Sequence, residues 1–179
     1  LCDHRQVFGV SCADYRRDGA FAESVVVPAR ILHRLPAALS FEEAAFAEPV
    51  GVALHAVRRA GTVAGSPVLV VGAGLIGLLV VQALKRAGAA HVTAVDLDQR
   101  RLELACRLGA DAGVAPHAVG TGGAAAADVA VEAAGVAATV GLAARVVRKG
   151  GRVVLVGNLA PEAPLPLQVA VTGELELVG

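Results

Sequence analysis

The sequence predicts an α/β protein whose parallel sheet is doubly wound by helices. Three observations predict it. From Pro67 onward, short β-branched runs alternate with helix-patterned segments, which means parallel strands joined by right-handed crossovers. Apolar residues make up 55% of the chain and aromatic ones only 3%, so the core must be built from Val, Leu, Ala and Ile, which suits strands buried on both faces. Within the longest apolar stretch, Pro67, Gly72 and Gly74 punctuate strand and then turn.

Each element follows in order. Phe21 to Pro28 (FAESVVVP) reads as a strand entered through the Asp18-Gly19 turn. Residues 39–61 read as one or two helices. Ser40 is a natural N-cap with Glu43 three residues on, a capping box, and Pro49 suits the first position of a helix that ends near Gly61. Val68–Val71 is a strand, and Leu75–Ala87, apolar nearly all round, is a buried helix. HVTAVD (91–96) is a second strand. Asp98 can cap the helix QRRLELACRL, which stops at Gly109. DAGV (111–114) is a third strand, DVAVEAAG (128–135) a fourth, VAATVGLAARVVRKG (136–150) a helix, and GRVVLVG (151–157) a fifth strand. ELELVG (174–179) begins a sixth. Between the third and fourth strands APHAVGTGGAAAA is low in complexity and a poor helix, so that crossover is expected to be loop.

The totals exclude several classes. The 179 residues suffice for one ordinary domain, or one domain and part of another. Lys+Arg and Asp+Glu each total 16, the net charge is zero and no basic tract occurs, which argues against nucleic acid and anionic membrane as partners. Pro67–Leu84 is uncharged for 18 residues, near the lower limit for a spanning helix, but its glycines and proline read as strand and turn. Cys2, Cys12 and Cys106 are too few and too odd in number for a disulfide framework, so a reducing, cytoplasmic setting is expected. LCDHRQVFGV lacks the apolar core of a signal peptide, and the absence of any methionine suggests a fragment.

The chemistry concentrates in VLVVGAGLIG, where Gly72, Gly74 and Gly77 stand as G-x-G-x-x-G after a strand and at the opening of a helix. Gly72 allows the tight turn, Gly74 lets a pyrophosphate approach the backbone, and Gly77 lets helix and strand pack closely. The N–H groups near Leu75 and Ile76 face the phosphates with the positive end of the helix dipole. Asp96 ends the next strand 19 residues past Gly77, near the spacing of about 20 at which an acid meets the adenosine ribose. A 2′-phosphate there would meet like charge, so the expected cofactor is NAD rather than NADP. Arg100 and Arg101 follow, either a solvated helix face or reach toward a phosphate. The strand, loop, helix and acid together are a Rossmann nucleotide-binding pattern.

With DGAFAESVVVP before them and KGGRVVLVGN after, these residues resemble the zinc-dependent medium-chain alcohol dehydrogenases over essentially the whole chain. The similarity is closest to the branch holding sorbitol and other polyol dehydrogenases, threonine dehydrogenase and butanediol dehydrogenase. That branch often has Glu-Pro where other members have a cysteine, and here the pair is Glu48-Pro49. The resemblance implies that residues 1–40 are the end of a GroES-like β domain, 41–173 the NAD-binding Rossmann domain, and 174–179 the start of a return to the catalytic domain. It places Ile76 at the pyrophosphate, Asp96 and Arg101 at the adenosine, and Val156, Gly157 and Asn158 at the nicotinamide. It implies that Glu48 approaches a catalytic Zn2+ whose other ligands come from the preceding domain, and that Cys2 is the last of four cysteines on a structural zinc.

The implied activity is NAD-dependent oxidation of a secondary alcohol or polyol to a ketone by a homo-oligomeric enzyme, with a small-molecule alcohol as substrate. The chain itself has no Gly-His-Glu triplet, and His4, His33, His55, His91 and His117 show no ligand spacing, so it is expected to bind NAD and catalyse poorly alone. Glu48 also fits as an acid favoured in a helix's first turn. His55, two turns further along the same face, reads as a packed or cofactor-side residue, Cys106 as core, and Glu132 as facing adenine or solvent. A non-catalytic NAD-binding module, and a reductase of the same superfamily without zinc, use the same glycines and Asp96.

Overall fold

A computed structural model of the 179-residue chain describes residues 7–9, 17–120 and 127–179. Contacts divide the chain into two units, Leu1–Ser40 and Phe41–Gly179. The second unit runs α1 (Phe41–Ala44), α2 (Ala47–Ala60), β1 (Pro67–Val71), α3 (Leu75–Arg86), β2 (His91–Val95), α4 (Gln99–Arg107), β3 (Ala112–Val114), β4 (Ala127–Glu132), α5 (Ala137–Val146), β5 (Val147–Leu155), α6 (Leu167–Thr172) and β6 (Glu176–Val178). Its strands form one six-stranded sheet in the order β3-β2-β1-β4-β5-β6, and every pairing is parallel. That order, with its reversal between β1 and β4, is the doubly wound dinucleotide-binding topology.

Alternation along β1 explains the layering. Val68 and Val70 join one buried cluster with Ala53, Ala56 and Ala60 of α2 and Val80, Val81 and Leu84 of α3. Leu69 and Val71 join another with Ala143 of α5 and Val153 of β5. Successive strand side chains point to opposite faces, so one apolar run feeds both layers. Alanine at positions 53, 56 and 60 recurs on one helical face and keeps that stripe slim where α2 meets the buried cluster.

Several elements depart from the sequence reading. Pro49 is the third residue of α2, still inside the first turn where a missing N–H costs no helical bond. The helix expected over 136–150 ends at Val146, because Val147 pairs with Ala127 and opens β5, with a register shift between Ala127 and Val129. Leu75–Ala87 is less enclosed than its composition suggests, since Leu75 is exposed while Val80, Val81 and Leu84 are buried. Among its described residues the crossover after β3 contains a 3-10 turn, Pro116–Ala118. Residues 67–84 divide into strand, turn and helix, and among the described residues no helix is long and apolar enough to cross a membrane.

In the first unit Gly9 N donates to Arg17 O at 3.1 Å, and the Arg17 guanidinium lies 4.1 Å from the centroid of the Phe8 ring. The strand expected over Phe21–Pro28 is absent. An extended run becomes a strand only against a neighbouring backbone, and here Phe21 and Val26 are exposed with no ladder partner among the described residues. A single 3-10 turn, Ala29–Ile31, follows Pro28. Cys2 and Cys12 lie outside the described residues, and so does the reading of Cys2 as a zinc ligand.

Candidate functional site

The strand order reverses between β1 and β4, and the crevice beyond their carboxyl ends is where open α/β sheets bind ligands. Three glycines shape it, for different reasons. Gly72 follows β1 with φ 98°, and a Cβ there would sit 2.8 Å from Ala134 N. A Cβ on Gly77 would sit 1.8 Å from Gly72 O. The fold itself therefore demands both. Gly74 is different: its φ is −75°, and a Cβ would meet nothing within 4 Å. Its bare backbone faces open space and leaves room for a ligand.

Helix α3 begins there. Leu78 N donates to Gly74 O at 2.9 Å, the first bond of the helix, so the amides of Leu75, Ile76 and Gly77 lack intrahelical partners. No side chain caps this end and no acid occupies the first turn. The exposed donors and the helix dipole suit a diphosphate.

Asp96 follows β2 with its side chain about nine-tenths buried, and it grips the glycine loop directly. Its Oδ2 accepts from Ala73 N at 2.7 Å, and its Oδ1 accepts from Asp98 N at 2.9 Å. Each carboxylate oxygen has a further lone pair for a ribose hydroxyl. Arg101 Nη1 lies 3.8 Å from Asp96 Oδ2 and its Nε 4.0 Å from Asp98 Oδ2, with most of the side chain in solvent. That pair contributes little stability, and it leaves the guanidinium beside the expected adenosine position. Arg100 is exposed, and its amide is capped by Asp98.

At the other end of the crevice, Val156 N and Gly157 N donate to Glu132 O at 2.8 and 3.0 Å, and Asn158 is exposed. Glu132 does not face solvent: it is fully buried, and its Oε1 accepts from Ala134 N, Gly135 N and Thr139 Oγ1 at 2.8–2.9 Å. Residues 137–146 form a helix that presents Thr139 to this acid, an arrangement visible in sequence only as a carboxylate at the end of a largely apolar strand.

Glu48 is the second residue of α2 and is exposed. His55, two turns along, is exposed too rather than packed, and it lines a cavity of about 430 Å³ with Val52, Val154, Leu155 and Val156. Cys106 is exposed, not core, because α4 buries Leu102 and Ala105 and turns Cys106 outward. A further cavity of about 450 Å³ opens near Pro67 and His91, at the amino ends of β1 and β2. It is the wrong end of the sheet for a nucleotide. Among the described residues no three His, Cys, Asp or Glu side chains gather to hold a metal ion.

An amino-terminal helix end freed by glycine, with an acid from the next strand holding its loop, defines a dinucleotide-binding α/β domain. Residues 76–179, more than half of the chain, match the family described as zinc-binding dehydrogenase, and the chain belongs to that family. Relatives include D-xylulose reductase A of Aspergillus niger, 34% identical over 177 residues, covering 90% of this chain and 48% of that protein. L-idonate 5-dehydrogenase of Escherichia coli K-12 superposes with a TM-score of 0.81 at 34% identity, covering 90% of this chain and 48% of the other. A zinc-binding dehydrogenase family protein of Sinorhizobium meliloti, bound to NADP, gives a TM-score of 0.82 at 35% identity, covering 91% and 51%. The chain spans about half the length of the curated relatives it matches.

Proposed function

We propose that the chain is the nicotinamide-binding part of an oxidoreductase that oxidises a secondary alcohol or polyol to a ketone with NAD. The observation that carries it is Gly74, the one loop glycine the fold does not require, placed at the open amino end of α3. The diphosphate would lie on the amides of Leu75, Ile76 and Gly77, and the adenosine ribose on Asp96, beside Arg101. The nicotinamide end would meet Val156, Gly157 and Asn158. NAD, when bound, accepts a hydride from the alcohol carbon. The residues here bind and orient the cofactor so that the ring faces substrate at van der Waals range.

The relatives' names, a xylulose reductase and an idonate dehydrogenase, support a polyol or sugar acid as substrate class. The NADP-bound neighbour does not decide cofactor choice for this chain, because that choice depends on the residue at the ribose. Asp96 accepts ribose hydroxyls and repels a 2′-phosphate. Glu48 is the residue proposed to face a catalytic zinc, residues 1–40 are proposed to be the end of a catalytic domain, and 174–179, which carry β6, the start of the return to it. A cytoplasmic setting and homo-oligomeric assembly belong to the same proposal.

Calorimetric titration of the full chain with NADH and NADPH tests the reading. NADH is expected to bind at least about tenfold more tightly, a difference of about 1.4 kcal/mol. Equal affinities, or no binding of NADH, would refute it.

A further inference from the structure

Glu132 is the only charged side chain buried among the described residues, and the cofactor roles above do not use its carboxylate. It ends β4, opposite Val71 of β1 on one side and Leu155 of β5 on the other. We propose that Glu132 is a positioning residue: its Oε1 fixes the 133–135 turn, and through that turn it sets the nicotinamide half of the crevice without touching the cofactor. The inference rests on the dinucleotide-binding reading above.

Two amides, Ala134 N and Gly135 N, donate to Glu132 Oε1, and the Thr139 hydroxyl lies 2.8 Å from it with its single proton shared between Oε1 and Val136 O, 2.7 Å away. The turn they fix is wedged between bare backbones. A Cβ on Gly157 would lie 2.1 Å from Gly135 N and 2.8 Å from Glu132 Oε2, and a Cβ on Gly135 would lie 2.7 Å from Asn158 N. Residues 156–160 are anchored to the same place: Val156 N and Gly157 N donate to Glu132 O, and Ala160 N donates to Gly135 O at 2.8 Å. The glycine loop has other anchors, since Gly72 N donates to Val95 O at 2.8 Å and Ala73 N to Asp96. The turn also backs onto Gly72, where a Cβ would meet Ala134 N at 2.8 Å, and Ala133 N donates to Val71 O at 2.8 Å, so loosening it is expected to disturb the 156–158 backbone most while the bond from Ala73 N to Asp96 holds the adenosine end.

Glu132 Oε2 is buried with no hydrogen-bond partner among the described residues. A buried carboxylate oxygen without a donor costs free energy, and an apolar side chain of similar size would be cheaper in a strand core. What an apolar residue cannot do is accept from the two turn amides and the Thr139 hydroxyl and so hold the turn.

The test uses the full chain as wild type, Glu132→Val, Glu132→Gln and Thr139→Val. Affinities for NADH and for AMP, which carries only the adenosine half, are measured by calorimetry. NADH fluorescence and ligand-free amide exchange are followed in parallel. Glu132→Val is expected to weaken NADH about tenfold while AMP stays within about twofold. Its bound NADH should lose the emission change seen with wild type. Exchange should accelerate at Ala134, Gly135 and Gly157 but not at Ala73. Glu132→Gln, which keeps an acceptor oxygen, should restore NADH affinity to within about threefold.

Thr139→Val, which removes one donor and leaves the acid, should show the same split more weakly, and it decides the question if Glu132→Val does not fold. Equal loss of NADH and AMP, unchanged NADH binding, or a Gln variant as impaired as Val would overturn the proposal. If wild type fails to bind NADH, the dinucleotide reading falls and this inference with it. If wild type binds and no variant shows the split, this inference falls alone.

Discussion

Adding one methyl group to Gly77 or to Gly74 should do opposite things. In Gly77→Ala the new Cβ meets backbone, 1.8 Å from Gly72 O and 2.9 Å from Gly72 C, where no side chain can swing aside. Helix α3 must shift away from the loop that follows β1. Overpacking of this kind costs about 1–3 kcal/mol, and a backbone clash belongs at the upper end. At about 2–4 °C per kcal/mol for a chain of this size, the melting temperature should fall by about 6–12 °C. In Gly74→Ala the Cβ enters open space at an ordinary φ of −75°. Alanine is the poorer helix cap by up to about 1 kcal/mol, and reduced freedom of the unfolded chain offsets about 0.4–1 kcal/mol of that. Net stability should stay within about 1 kcal/mol of wild type. The methyl group would, however, stand where the pyrophosphate approaches, and NADH affinity should drop at least about tenfold. Thermal melts followed by circular dichroism, paired with NADH calorimetry, read both quantities. A Gly74→Ala protein that melts early, or that binds NADH like wild type, would refute the division of roles.

Asp96→Ala removes the acceptor for Ala73 N and the proposed ribose partner together. NADH affinity should fall at least about tenfold and the preference over NADPH should vanish, as read by calorimetry. Acid sensitivity has a worked sign. The Val92 amide and Lys85 hold Asp111 below its ordinary value of 3.8, and Arg148 with Ser66 lowers Asp128 likewise. A carboxylate more acidic when folded stabilises the fold above its unfolded pKa, and that contribution is lost as pH falls through the folded value. Urea midpoints should therefore fall below about pH 4, and Asp111→Asn should flatten that part of the profile. A profile unchanged by the substitution would contradict the assignment.

Much of the sheet was legible because its strands are short runs rich in Val, Ala and Leu set between turns. Val68–Val71, His91–Val95 and Ala112–Val114 could be read from composition and punctuation alone. Their lateral order could not, since pairing across the β1–β4 switch is a property of packing. The helix at 136–150 misled because Arg148 and Lys149 look like a basic last turn, whereas Gly150 at φ 70° and the close approach of Gly151 to Val147 bend a strand there. Helix α6, six residues long behind Pro166, has no counterpart in the sequence reading. Phe21–Pro28 has strand chemistry but no described neighbour to pair with.

At the site, the glycines and Asp96 were visible because each has a fixed backbone reason. The bond from Asp96 to the loop, the demand of the fold for only two of the three glycines, and the buried hub at Glu132 depend on distances no spacing encodes. Glu48 was legible through the Glu-Pro pair of the resemblance and as an acid of a helix's first turn, and it stands exposed on α2.

The central claim is that the cofactor lies across the carboxyl ends of the strands, on the amino end of α3. Amide chemical shifts of an isotope-labelled sample titrated with NADH test it most directly. Shifts concentrated at Gly74–Gly77, Asp96 and Val156–Asn158 are the expected result. Shifts clustered instead around Pro67 and His91, or none at saturating NADH, would contradict it.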